Sequence, residues 1–204
     1  MSKISEKAEN RREEIINACD ALYKTKNFQE ITIKDIGEVT SFSRPSIYNY
    51  FQTKEEIFLG LLTREYSDWA DDVTEIVTSN ETLSVDELAD KVAKTLEKRI
   101  TMLKISAMNL YEIEDKSSPD CLKEFKIAFK RAMEAMVECV TKFLPDNKEK
   151  PELIQYAFFP FTYGIYPYTT PTDNQKRAMD EVGIAYHAIS VYEITYRFLK
   201  KILA

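Results

Sequence analysis

Glycine is scarce in this chain. Four occur in 204 residues, Gly37, Gly60, Gly164 and Gly183, and no two lie close together. Their scatter excludes the glycine-rich loops that cradle phosphates, the glycine-flanked nucleophile turn and most two-residue hairpins. The single histidine, His187, has no cysteine or carboxylate nearby at ligand spacing, so no metal site is expected and no cofactor is implied. It reads as a core or interface imidazole. Glu112 and Glu114, two apart on a helix, point to different sides and make no general acid–base pair, so no enzyme is expected. The three cysteines, Cys19, Cys121 and Cys139, fall in apolar helical patterns, and their odd count reads as free thiols in a reducing compartment. No stretch of about 18 uninterrupted apolar residues occurs, and polar Met1 to Arg12 lacks the apolar core of a signal peptide. The expected location is therefore the cytoplasm, without membrane contact.

What remains is helical in character. Hydrophobic residues make up 44% of the chain, enough for a substantial core. Ile15, Ile16, Ala18, Cys19, Leu22 and Tyr23 recur at helical spacing in a first helix from about Glu6 to Lys24. Thr32 precedes Asp35 by three residues, a capping box that opens a short helix carrying Ile33, Ile36 and Val39. Ser41-Phe42-Ser43 separates it from another short helix, Arg44 to Phe51, with Ser43 as N-cap and Pro45 in the first turn. Thr53 and Glu56 cap a long helix from Lys54 to about Val77. Further helices are expected at 84–99, 101–113, 118–144, from Pro151 until Gly164, Pro167 and Pro171 break it, and from Asp173 to Leu203. The fold class is all-α, with about nine helices.

Two short helices joined by a three-residue turn make a helix-turn-helix, whose second helix enters the major groove of DNA. Phe28, Thr32, Ile36, Ser43, Tyr48, Tyr50, Phe51, Lys54 and Ile57 stand in register with one family's pattern: Phe, Thr, Ile-Ala, a small-residue turn, Ser, Tyr-x-(His/Tyr)-Phe and Lys. Over about its first 60 residues the chain thus resembles the TetR family of transcriptional regulators. It departs in three positions. Ser41 stands where the turn usually has glycine, a departure that a slightly strained left-handed Ser41 would accommodate. Gly37 stands where alanine is common, and Pro45 lies within the recognition helix.

The resemblance implies an N-terminal three-helix DNA-binding domain, residues 1–54, and a larger helical domain, 55–204, for effector binding and dimerisation. The implied function is a repressor released from its operator by a small apolar or amphipathic effector. The alternative is a constitutive or protein-partnered regulator without one. Implied partners are a pseudo-palindromic double-stranded operator, a second copy of the chain and the effector. Charge agrees in sign: residues 1–54 carry nine Lys or Arg against eight Asp or Glu, whereas the remainder carries 19 against 26.

Each expected DNA contact has a physical reason. Ser43, Arg44, Pro45 and Ser46 lie at the start of the recognition helix, where free N–H groups favour acceptors. Arg44 is the one forked donor suited to a guanine edge, and Asn49 suits adenine. Tyr48 and Tyr50 offer hydroxyls to phosphate, and Pro45 or Tyr48 can touch a thymine methyl. Thr32, Lys34 and Lys54 lie at or near helix starts flanking the groove and suit phosphate anchoring. Taken singly, each reads equally well as a cap or a core aromatic; the registered set carries the reading. Lys3, Lys7, Arg11 and Arg12 are placed for a minor-groove or phosphate-touching arm, as the resemblance allows, but interleave with Glu6, Glu9, Glu13 and Glu14, as a solvated face would.

In the body, Tyr156 to Tyr168 holds seven aromatics in thirteen residues. Phe158, Phe159 and Tyr163, with Trp69, Met102, Met108, Tyr111, Phe125, Phe129 and Met133, are candidates to line an effector pocket, beside the bland reading of ordinary core. The wide apolar arc of the last helix marks Ile184, Val191, Tyr192 and Phe198, together with Tyr156, as a candidate dimer interface.

Overall fold

The computed structural model describes residues 3–146 and 150–204, with side chains from Lys7 to Asp146 and from Pro151 onward. Every regular element among them is helical, as the sequence predicts. The order is α1 (Lys3–Tyr23), a 3-10 turn (Phe28–Glu30), α2 (Ile33–Glu38), α3 (Arg44–Ile47), α4 (Lys54–Ser79), α5 (Val85–Glu97), α6 (Ile100–Met108), α7 (Leu110–Asp115) and α8 (Pro119–Phe143). Then come α9 (Lys150–Leu153), a π-helical turn (Ile154–Phe158), α10 (Phe159–Thr169), α11 (Asp173–Glu181) and α12 (Val191–Leu203). The chain forms two compact units, Met1–Tyr66 with Asn109–Phe129, and Ser67–Met108 with Lys130–Ala204.

In the first unit, Ile15, Ile16 and Cys19 of α1 are buried with Ile36, Ile47, Phe51, Ile57 and Leu61. The Phe58 ring meets Tyr23 at 5.0 Å and Phe28 at 4.8 Å, both edge-on. A Cβ on Gly60 would come within 3.2 Å of Phe51 and 3.3 Å of Ile16, so the missing side chain lets α4 approach both closely. Buried Glu56 ties two helix starts together. Its Oε2 accepts the Gln52 N–H at 2.6 Å ahead of α4, and its Oε1 accepts the Ser118 N–H at 3.1 Å ahead of α8. Burial by itself pushes the Glu56 carboxyl up; these N–H donors outweigh it and hold the pKa below the ordinary value.

In the second unit, Trp69 is buried, and its indole donates to Thr95 Oγ1 at 3.1 Å. Leu88, Val92 and Leu96 of α5 face the core with Leu199 and Leu203 of α12. The α5 and α12 helices are laced by Tyr192 donating to Asp90 at 2.8 Å and Tyr196 donating to Asp86 at 2.7 Å. Thr195, also buried on α12, has a hydroxyl with no partner among the described residues.

The structure corrects several expected boundaries. The recognition helix ends at Ile47 and continues to Tyr50 as turns, not to Phe51 as helix. The expected 101–113 helix is broken at Asn109 into α6 and α7. Pro167 lies inside α10, which runs on to Thr169. Pro160 lacks the N–H that would bond the Tyr156 carbonyl, and its ring crowds that group; the wide π-helical turn just before it accommodates both effects. The expected last helix is two. Gly183, at φ +74, ends α11 with its N–H on Asp180 O and the Ile184 N–H on Met179 O, a Schellman closure. Ile184, Ala185 and Ile189 therefore lie between helices, and Ser190 caps α12.

Candidate nucleic-acid interface

The region around α3 is built from a buried anchor outward. Ile47 is fully buried and so is Phe51, whereas Arg44, Pro45, Tyr48 and Asn49 on the same short stretch are exposed. Arg44, first residue of α3, reaches Tyr48 one turn on: its Nη2 donates to the phenol at 3.3 Å, and the guanidinium lies 5.9 Å from the ring centroid. A cation and an aromatic hydroxyl are thus held side by side on an outward surface. Ser43 takes the N-cap position but does not cap; its hydroxyl lies 3.0 Å from that of Ser46. With only four helical residues, α3 carries a small dipole, so side chains rather than the helix end must supply recognition. Tyr50 is half-buried.

Thr32 begins α2 as predicted. Its hydroxyl accepts the Asp35 N–H at 3.2 Å, and its own N–H donates to Asp35 Oδ2 at 2.8 Å. The Thr32 hydroxyl also donates to Asp35 Oδ2, and that bond, with the one from the Thr32 N–H, holds the Asp35 carboxyl down at about 2. Lys34 is exposed and pairs loosely with Glu38 at 3.7 Å. Lys54 is more committed than its sequence suggests. Its ammonium donates to the carbonyls of Phe28 at 2.8 Å and Ile31 at 3.2 Å and lies 4.1 Å from the Phe28 ring centroid. Three donors less two leaves one N–H for any other acceptor.

Sequence reasoning missed the role of α1 here. The expected left-handed Ser41 is absent: no described residue other than glycine has positive φ. Instead the Ser41 N–H donates to Glu14 Oε1 at 2.6 Å, and Arg11 lies over the Phe42 ring, 5.5 Å from its centroid. Arg12 is 5.0 Å from the Phe51 ring centroid and bonds Glu124 at 2.7 Å. Helical spacing alone marks these as solvated positions, since nothing in it shows what packs alongside. The side chains of Lys3 and Glu6 lie outside the described residues.

The candidate pocket residues are divided between the two units. Phe125 and Phe129 belong to the first unit, where both rings meet Tyr66. In the second unit Trp69 packs on Phe158 and Phe159, with Met102 buried on α6 and Tyr163 half-buried on α10. Met108 and Tyr111 face outward, 58% and 88% exposed. Met133 borders a hollow of about 510 Å³ with Val137, Glu134, Glu138 and Gln155. A larger hollow of about 770 Å³, lined by Tyr168, Met179, Ile184, Tyr186 and His187 among others, had no sequence signal, because Ile184 to Ile189 read as helix. Of the candidate interface residues, Tyr156 and Ile184 are exposed, whereas Val191 is buried, Tyr192 is bonded to Asp90, and Phe198 stacks on Phe161 at 3.9 Å. Among the described residues no helix is long and apolar enough to cross a membrane, and no group of His, Cys, Asp or Glu could hold a metal ion.

Comparison with known proteins places this geometry. Residues 15–61 match the family described as bacterial regulatory proteins, tetR family, and residues 63–203 match the tetracyclin repressor-like C-terminal domain. The HTH-type transcriptional regulator YfiR of Bacillus subtilis, itself uncharacterized, is 40% identical over 53 residues, 26% of each chain. EthR of Mycolicibacterium smegmatis, also an HTH-type transcriptional regulator, is 35% identical over 54 residues, 26% of this chain and 25% of its own. The chain thus matches only about a quarter of the length of either relative. The crystal structure of a Mesorhizobium loti protein assigned to the TetR family superposes over 96% of both chains with a TM-score of 0.63 and 15% identity, a likeness of fold.

Proposed function

Because the chain belongs to the tetR family of bacterial regulatory proteins, we propose that it is a sequence-specific, DNA-binding transcriptional regulator that works as a homodimer in the cytoplasm and has no catalytic activity. In this reading residues 1–54 meet the operator and residues 55–204 bind the effector and pair with the second copy. The observation that carries it is the exposed group Arg44, Pro45, Tyr48 and Asn49, raised on the buried anchors Ile47 and Phe51. Arg44 can present its fork to guanine O6 and N7, Asn49 its amide to adenine, and Tyr48 its ring edge to a thymine methyl. Thr32, Lys34, Ser43, Ser46, Tyr50 and the remaining Lys54 N–H would hold the backbone rails. A dimer presents two such groups, so the operator should contain two half-sites about one helical turn apart.

The finer reading is a repressor. An apolar or amphipathic effector would release DNA only by binding better to the conformation whose two reading surfaces do not match successive major grooves. The aromatic content of the body supports such a ligand. The mutual packing of Trp69, Phe158 and Phe159 favours the second reading instead, a constitutive or protein-partnered regulator. The test is selection of bound duplexes from a random pool, followed by affinity measurements on the selected site. Arg44→Ala should weaken binding by about 1–3 kcal/mol and relax the choice at one base position. Unchanged affinity would remove Arg44 from the site, and failure of the wild-type protein to enrich any sequence would remove the function.

A further inference from the structure

We propose that Glu14 and Arg11, one turn apart on α1, clamp the α2–α3 turn and so set the orientation of the α3 surface against a duplex; the second half of this statement rests on the function proposed above. Among the described residues, few polar contacts hold that orientation. α3 has four residues and one buried side chain, Ile47, so its own packing permits rotation about that anchor. Its exit is fixed by buried Phe51, and its entry must be fixed by the turn 41–43. At the turn and just before it, the Ser43 and Thr40 hydroxyls bond locally, to Ser46 Oγ and Gly37 O. Among the described residues, two polar ties reach the turn from across the fold: the Ser41 N–H donates to the Glu14 carboxylate at 2.6 Å, 27 residues away in sequence, and the Phe42 ring faces the Arg11 guanidinium. One tie holds backbone and the next holds a side chain, both from a single face of α1. α1 is itself anchored by fully buried Ile15 and Cys19, so the clamp stands on a rigid base. The bonds from Ser41 keep the Glu14 carboxyl below its ordinary pKa, which leaves it a charged acceptor at neutral pH. A backbone N–H tied to a carboxylate here does without the left-handed residue that the family's turn glycine usually supplies.

Glu14 and Arg11 are positioning residues, and the sign of the Glu14 effect separates positioning from charge. Removing a carboxylate from a DNA-facing domain should tighten binding by reducing repulsion of phosphate. Loss of the clamp should weaken it. The experiment uses the full-length protein and duplexes that the wild type selects from a random pool, with Glu14→Ala, Glu14→Gln and Arg11→Ala. Hydrogen exchange at the Ser41 amide is followed by NMR in the wild type and both Glu14 variants. Glu14→Ala should bind about tenfold more weakly with little change in melting temperature, and its Ser41 amide should exchange about tenfold faster. Glu14→Gln keeps an acceptor oxygen and should recover most of both. Arg11→Ala should also weaken binding, although the loss of a cation contributes there. Equal or tighter binding by Glu14→Ala, or a Ser41 amide indifferent to it, overturns the clamp. If the wild type selects no duplex, the proposed function fails, and Ser41 exchange alone still decides whether the turn is held by Glu14.

Discussion

Glu56 is 4% exposed and ionised, a costly combination unless its oxygens are well supplied with donors. Both are: Oε2 takes the Gln52 N–H at 2.6 Å, and Oε1 takes the Ser118 N–H at 3.1 Å. Replacing Glu56 by Gln keeps the shape but exchanges one acceptor oxygen for an NH₂ group. One backbone N–H then faces a donor. Leaving a buried donor unpaired costs about 1–3 kcal/mol, and losing a negative charge near two helix N-termini adds about 0.5 kcal/mol. We expect Glu56→Gln to lower the stability of the fold by about 2 kcal/mol at pH 7, read by urea unfolding followed by circular dichroism. The pH dependence supplies a second check. The folded pKa of Glu56 is depressed from the ordinary value of 4.5, so its ionisation stabilises the protein fully above that value. That contribution disappears as pH falls through the lower, folded pKa. Glutamine does not titrate, so the gap between the two proteins should be constant near neutrality and narrow in acid below pH 4.5. A gap under about 0.5 kcal/mol at pH 7, or one that stays constant through the acid range, would refute this account of Glu56.

Three other substitutions test separate features. Thr195→Val replaces an unpartnered buried hydroxyl with a methyl of similar volume and should stabilise by about 1–2 kcal/mol, raising the melting temperature by a few degrees; a lower melting temperature would mean the hydroxyl has a partner after all. Gly37→Ala should gain about 0.5–1 kcal/mol in urea unfolding, because the added Cβ meets nothing nearer than 3.6 Å and alanine suits a helix better; destabilisation would show that α2 and α3 pack more tightly than these distances indicate. Lys54→Met removes charge-assisted bonds to Phe28 O and Ile31 O and should cost about 1.5–3 kcal/mol in the same assay. If Lys54 also meets phosphate, the salt slope of operator binding should fall by about one.

The helical class was legible because apolar spacing and capping boxes are local. Thr32–Asp35 and Ser84–Glu87 open helices where the sequence predicts them, since each cap is satisfied within four residues. The break between α11 and α12 was not read. Gly183 permits a left-handed closure but does not compel one, and the surrounding Ile184, Ala185 and Ile189 fit a helical stripe equally well. The division of the pocket candidates between the two units was not legible for a related reason. Aromatic character marks Phe125, Phe129, Trp69 and Phe158 as burial-prone, but which unit buries each depends on partners far along the chain. Residues 109–129 complete the first unit, and no pattern around Asn109 or Pro119 announces it.

The sequence by itself determined that the chain is helical and that two short helices joined by a turn present Arg44, Tyr48 and Asn49; the connection is residues 39–43, five and not the expected three, because α2 already ends at Glu38. Periodicity and capping act over three or four residues and need no distant partner. Only the tertiary structure decided what each polar side chain bonds: Lys54 to two carbonyls, Glu56 to the start of α8, Glu14 to the Ser41 amide. Such bonds join residues 23 to 62 positions apart, and which donor reaches which acceptor is settled by how packed helices align, a property that spacing within one helix does not contain.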